Sequence, residues 1–212
     1  MNLAFIITNV VVFLYEIMLS PRQLNSLFNV FGIVPARYRF LERTYSLIGP
    51  FMFVPLVAGA FLHAGWLHLA GNMLYLWVFG DNVEDRMGHG GYAVFYLAAT
   101  LISNIVHIVA NPTSAIPTVG ASGAVAGVLG AYLLMFPGAK VLALVPLGFL
   151  FLTEVPAVLF LFLWFILQLL NGIAALGVPA HVAGQVAYWA HIGGFVSGMF
   201  LSRVFVPRRR YN

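Results

Sequence analysis

The stretch Gly120–Tyr132 reads Gly-Ala-Ser-Gly-Ala-Val-Ala-Gly-Val-Leu-Gly-Ala-Tyr, and it sets one hydroxyl, that of Ser122, at the mouth of an otherwise apolar helix. Gly123 follows the serine directly, so its Oγ and backbone N–H are uncrowded. The first N–H groups of a helix have no partner inside it and can hold a developing oxyanion. The same stretch also reads as a close-packing helix of the small-xxx-small kind, through Gly123, Ala126, Gly127 and Gly130. A distant histidine shifts the balance between the two. Ala187, His191, Gly194 and Gly198 fall at i, i+4, i+7 and i+11, one helical stripe with no bulk except the imidazole. A small-faced helix such as that of Ser122 can approach this stripe closely. A serine and a histidine brought together can carry out nucleophilic acyl transfer.

Acyl transfer also needs donors for the oxyanion. His68 and Asn72, at i and i+4, share one helix face and, with the Ser122 N–H, supply them. His63 and His68 raise the rival reading of a metal site. Their spacing of five sets them on different helix faces and no carboxylate completes a zinc set, so neither a metal nor another cofactor is expected. The acids are Glu16, Glu42, Asp81, Glu84, Asp85 and Glu154. None is placed near the outer mouth of the Ser122 or His191 helix, which leaves a Ser–His dyad whose imidazole is oriented by packing instead of an Asp.

The elements that must carry these residues are membrane spans. The chain has 212 residues, of which 62% are hydrophobic and 8% charged, with no Cys and a net charge of +4. Several apolar runs approach the ~20 residues that cross a bilayer, and alternating barrel strands are absent. The reading is an all-α polytopic membrane protein, one domain over 1–212, with spans near 2–18, 67–79, 92–110, 122–136, 156–171 and 184–204. The N-terminus lacks a basic n-region and a cleavage site, so it reads as a retained span. Arg22–Trp66 is a long connection, and its apolar part Ser46–Leu62, broken by Gly49-Pro50 and Pro55, reads as interfacial or re-entrant. Val141–Thr153 reads as one extended or interfacial piece before a helix starting near Pro156.

Six spans put both termini on one side. Arg86, Lys140, Arg203, Arg208, Arg209 and Arg210, against Arg22, Arg37, Arg39 and Arg43 in the first loop, make that side cytoplasmic. The basic tail reads as an anchor on anionic lipid; without aromatic residues interleaving a basic groove, nucleic acid is not an expected partner. Depth then aligns the reactive groups. The fourth helix, about sixteen residues long, measures ~24 Å against a ~30 Å hydrocarbon core, leaving Ser122 roughly 6–10 Å below the outer boundary. His191, seven residues into the sixth span, lies roughly 10 Å below its start. Serine and histidine arrive at matching depth from one side. Hydrolysis needs water there, and the broken backbone at Asn111–Gly120 is tolerable at membrane depth only where a cavity or protein buries it.

Over nearly its whole length the chain resembles the rhomboid intramembrane serine proteases in their basic six-helix form. The motifs are Gly120-Ala121-Ser122-Gly123, Ala190-His191-Ile192-Gly193-Gly194 with Gly198, His68-Leu69-Ala70-Gly71-Asn72, and Gly80…Glu84-Asp85-Arg86…Gly88. The resemblance implies Ser122 as nucleophile, His191 as general base and acid, and His68, Asn72 and the Ser122 N–H as the oxyanion hole. It implies a structural pair of Glu84 and Arg86 on the cytoplasmic side and a membrane-embedded first loop. A loop over Gly172–Ala183 would cap the site, and the fifth helix would flank lateral substrate access. Single-span transmembrane proteins are the implied substrates. Some family members carry a Tyr one turn after the nucleophile, stacked under the His; here that residue is Ala126, which leaves open what supports the ring. Two other readings remain, a proteolytically inert binder of transmembrane segments and a small transporter. The transporter lacks an intramembrane ion relay and any clear inverted repeat.

Overall fold

The computed structural model describes residues 1–39, 52–147, 149–176 and 186–206. These residues build ten α-helices and one β-hairpin. Helix α1 spans Asn2–Glu16, α2 Pro21–Phe31, α3 Pro35–Tyr38 and α4 Val54–Ala58, which continues as a 3₁₀ turn, Gly59–Phe61. Helix α5 (Trp66–Tyr75) passes through a π-helical stretch, Leu76–Gly80, into α6 (Asp81–Met87). Then come α7 (His89–Ala110), α8 (Ser122–Met135), strands β1 (Lys140–Leu147) and β2 (Phe149–Pro156), α9 (Ala157–Leu176) and α10 (Tyr188–Phe205).

Composition decides which helix sits where. In α8 every residue from Gly123 to Tyr132 is buried, because Gly and Ala let neighbours pack on all sides. Helices α10, α7 and α5 surround it, and Tyr92, Phe95, Tyr96, Val128, Leu129 and Leu161 close the core around it. Helix α9 is the opposite case. Its mean hydropathy reaches 2.2, yet only Ala157, Leu161 and Gly172 are buried, and Phe162, Leu163, Leu167 and Leu170 face outward as in a helix bathed in lipid. Helices α7 and α9 are each long and apolar enough to cross a membrane; Val54–Phe61 and Trp66–Met87 pass together but bend by 95°.

Three segments differ from the sequence reading. The connection 22–66 contains an amphipathic helix, α2, started by a capping box in which Gln23 N–H donates to Ser20 Oγ and Ser20 N–H to Gln23 Oε1, with Pro21 at the first helical position. The second apolar helix does not end at Phe79: the π-helical stretch absorbs Gly80 and the helix runs on to Met87. The extended piece at 141–153 is a two-stranded antiparallel hairpin with Lys140 opposite Pro156 and Leu147 opposite Phe149. The expected cap at 172–183 is helical through Leu176, and its remainder lies outside the described residues, as do Glu42, Arg43 and Arg208–Arg210.

Candidate active site

The loop before α8 must stop at one height to place Ser122, and the first loop holds it there. Ile33 and Thr118 exchange both backbone hydrogen bonds at 2.8 Å, Ala36 N–H donates to Ser114 O, and Gly120 N–H donates to Gly59 O. The irregular backbone is thereby satisfied by protein, as apolar surroundings require. Gly120 has φ +127°, a conformation that side chains rarely adopt, and a Cβ there would stand 2.5 Å from the His68 ring. Ser122 follows as the first residue of α8.

Helix α10 brings the imidazole. A Cβ on Gly194 would lie 2.0 Å from the Gly123 carbonyl oxygen, and one on Gly198 1.9 Å from that of Gly127, so only glycine lets the two backbones come this close. One turn above that seam, His191 Nε2 lies 2.8 Å from Ser122 Oγ. The other ring nitrogen, Nδ1, lies 2.8 Å from Gln168 Oε1 of α9. The Trp164 ring lies 6.0 Å from the imidazole, tilted by 33°, and Tyr188 meets it edge-on at 6.5 Å. Ala126 is fully buried and would stand 3.3 Å from a Cβ at Gly194, so the seam leaves no space for a large ring there. Aromatic contact comes from α9 and the start of α10.

Two corrections follow. Orientation of His191 does not rest on packing alone, because Gln168 hydrogen-bonds it. A single amide in the Leu/Phe run of a lipid-facing helix was the available signal, since such a group is costly without a polar partner. The second concerns the surroundings of His63. Glu16, at the end of α1, is buried and accepts the His63 backbone N–H on both oxygens at 3.1 and 3.2 Å.

His63 and His68 do not share a helix, since α5 starts only at Trp66. The different-faces argument therefore does not apply, and their rings meet edge-to-face with centroids 5.2 Å apart. His63 Nε2 lies 3.0 Å from Asn72 Nδ2. His68, Asn72, Ser122, Trp164 and His191 line one open cavity of about 710 Å³, with Trp66, Tyr75, Leu129 and Val186 also on its walls. Among the described residues no group of three or more His, Cys, Asp or Glu is arranged to hold a metal ion.

Glu84 and Arg86 are not paired with each other. Glu84 takes the Met1 α-amine at 2.5 Å, the Asn2 backbone N–H at 2.7 Å and the His89 ring, while the Arg86 guanidinium stacks 5.1 Å over Phe136. Two positions apart on α6, the side chains diverge around the helix, and α1 reaches the carboxylate first. The Asn2 side chain completes this junction, donating to Leu76 O and Asp81 Oδ1 and accepting from Tyr92 Oη.

Comparison with known proteins agrees with this architecture. Residues 50–208 match the rhomboid domain. The chain is 32% identical over 161 residues to the rhomboid protease GluP of Bacillus subtilis, covering 76% of this chain and 28% of that protein. It is 32% identical over 124 residues to the mitochondrial rhomboid protein 1 of Saccharomyces cerevisiae, covering 55% of this chain and 36% of that protein. With the mitochondrial presenilin-associated rhomboid-like protein A of Danio rerio it shares 30% over 177 residues, covering 79% of this chain and 42% of the other. The chain thus spans less than half the length of these relatives. A buried small-residue helix, a glycine seam against α10 and a rhomboid match over three quarters of the residues lead to one conclusion: this is a membrane protein of the rhomboid family.

Proposed function

We propose that the chain is an intramembrane serine endopeptidase that hydrolyses peptide bonds of single-span membrane proteins near the outer face. The observation that carries this reading is the 2.8 Å contact between Ser122 Oγ and His191 Nε2 at the edge of a cavity large enough for a peptide segment. Ser122 Oγ attacks the scissile carbonyl carbon as its proton passes to His191 Nε2. The tetrahedral oxyanion faces the Ser122 N–H, His68 and Asn72. Collapse breaks the C–N bond, and the imidazolium proton goes to the leaving amine. Water then attacks the acyl-serine, gives its proton to His191, and releases the carboxylic acid as Oγ recovers a proton.

In this reading the chain crosses the bilayer six times, the cavity opens toward the outer leaflet, both termini are cytoplasmic, and the substrate reaches the site from the bilayer. The distribution of Lys and Arg supports that orientation. Glu84 and the α1–α6 junction then lie at the cytoplasmic end, as a structural tie. An inert binder of membrane segments would need neither the Ser–His contact nor amides and imidazoles gathered in the same cavity.

The test is cleavage of a purified single-span substrate in liposomes, with products mapped by mass spectrometry. Ser122→Ala and His191→Ala are each expected to lower kcat by about 10³-fold or more. Near-normal cleavage by either variant would remove the dyad. Orientation has its own test, since the chain has no native Cys. In intact cells a single cysteine at Thr113 should react with impermeant maleimide from the outer side and one at Ala139 only from the cytoplasmic side, and the reverse or a same-side pattern would overturn it.

A further inference from the structure

Building on the serine-protease reading, we propose that Gln168 is a positioning residue for the reaction, the third member of a Ser122–His191–Gln168 chain. Its amide oxygen accepts the Nδ1–H of His191 and thereby selects the tautomer that can act as a base. The argument starts from the two contacts of one ring. For Ser122 Oγ–H to donate to Nε2, that nitrogen must present a lone pair, and the proton of the neutral imidazole must then sit on Nδ1. An Nδ1–H within a largely apolar cavity needs an acceptor, and Gln168 Oε1 is 2.8 Å away. With no acceptor there, the proton is free to reside on Nε2, where it blocks the serine.

The position of Gln168 supports this role. It lies in α9, a helix whose neighbours Phe162, Leu163, Leu167 and Leu170 are all exposed on the lipid-facing side. An amide in such a helix is costly unless a polar group uses it. Four of the five described acids are engaged elsewhere: Glu16 with His63, Asp81 and Glu84 with the α1–α6 junction, and Glu154 with Lys140. Among the described residues no carboxylate contacts Nδ1, and the neutral amide does what an Asp does in a triad without introducing a second buried charge. When the imidazole takes the serine proton, both of its N–H groups remain hydrogen-bonded, Nδ1–H to Gln168 and Nε2–H toward the Ser122 oxygen.

The experiment uses the full chain in liposomes with Gln168→Met, of nearly equal length but with no amide, and Gln168→Glu, which keeps an acceptor. Gln168→Met should lower kcat on the order of 10- to 100-fold with KM within about twofold. In the resting protein it should also move the ¹⁵N signature of His191 from the Nδ1–H toward the Nε2–H tautomer. Gln168→Glu should retain more activity than Gln168→Met and shift the acidic limb of the kcat–pH profile to higher pH, because a carboxylate favours the imidazolium. A Gln168→Met variant within twofold of wild type, or one with an unchanged His191 tautomer, would overturn the proposal. So would a Gln168→Glu variant that loses activity equally with an unmoved pH profile. Should Gln168→Met fail to fold, the tautomer of the wild-type ring decides: an Nε2–H signature there refutes it. Ser122→Ala and His191→Ala in the same assay separate the levels, because cleavage that survives them refutes the protease reading, whereas loss in them with a fully active Gln168→Met refutes only the role of Gln168.

Discussion

Helices α8 and α9 are both strongly apolar, yet their surroundings are opposite. Helix α8 has a Gly or Ala at every second or third position and is buried on all sides; α9 is built of Leu, Phe and Ile and buries three residues. In a bilayer a large apolar side chain gains little by turning inward, because lipid is as apolar as a protein core. Small residues are what permit close backbone contact, so size and not hydropathy separates the central helix from the peripheral one. The reactive groups follow that division. The hydroxyl sits on the helix that cannot move without disturbing the seam, and the partner of the imidazole sits on the more exposed of the two.

The largest effect should come from the seam. Gly198→Val sets a side chain where a Cβ already meets the Gly127 carbonyl oxygen at 1.9 Å, so thermal unfolding in detergent should show a loss of roughly 3 kcal/mol or more. A fully stable Gly198→Val protein would mean that α8 and α10 are not closely packed. At the other end of the bundle, Glu84→Gln weakens a junction fed by three donors and should cost about 1–3 kcal/mol in the same measurement, whereas Arg86→Ala should cost less. Equal losses would restore the direct Glu84–Arg86 pair. Near the site, His63→Leu removes the ring that contacts Asn72 Nδ2 and should lower kcat about tenfold, with stability measured in parallel. On the outer face of α9, Leu163→Ala should change stability by no more than about 0.5 kcal/mol and leave kcat within twofold. A larger loss there would show that something other than lipid packs on α9.

The division between the two helices also explains what could be read from the residues alone. The helical stripe of His191, Gly194 and Gly198 and the small face of the Ser122 helix follow from a 3.6-residue period, so their juxtaposition was legible. The partners of Glu84 were not, because a short-range charge pair is visible in a sequence whereas the reach of α1 to α6 is a tertiary event. Gln168 was marked only as a lone amide in an apolar run; that its partner is His191, 23 residues on, is a tertiary event that no local pattern names. The approach of His63 to His68 and Asn72 was equally illegible, because helical spacing says nothing of a residue that precedes the start of α5. The capping box of α2 was present as Ser20-Pro21-Arg22-Gln23, yet the surrounding polar run read as connection.

The two-way backbone exchange between Ile33 and Thr118, together with the bond from Gly120 to Gly59, has a consequence for protein engineering. Ile33, Ala36 and Gly59 on one side and Ser114, Thr118 and Gly120 on the other behave as lock and key for the height of the serine. A chimera between relatives that transplants one of these strips without the other inherits mismatched rungs and misplaces the serine at the start of α8, even with every side chain of the cavity retained.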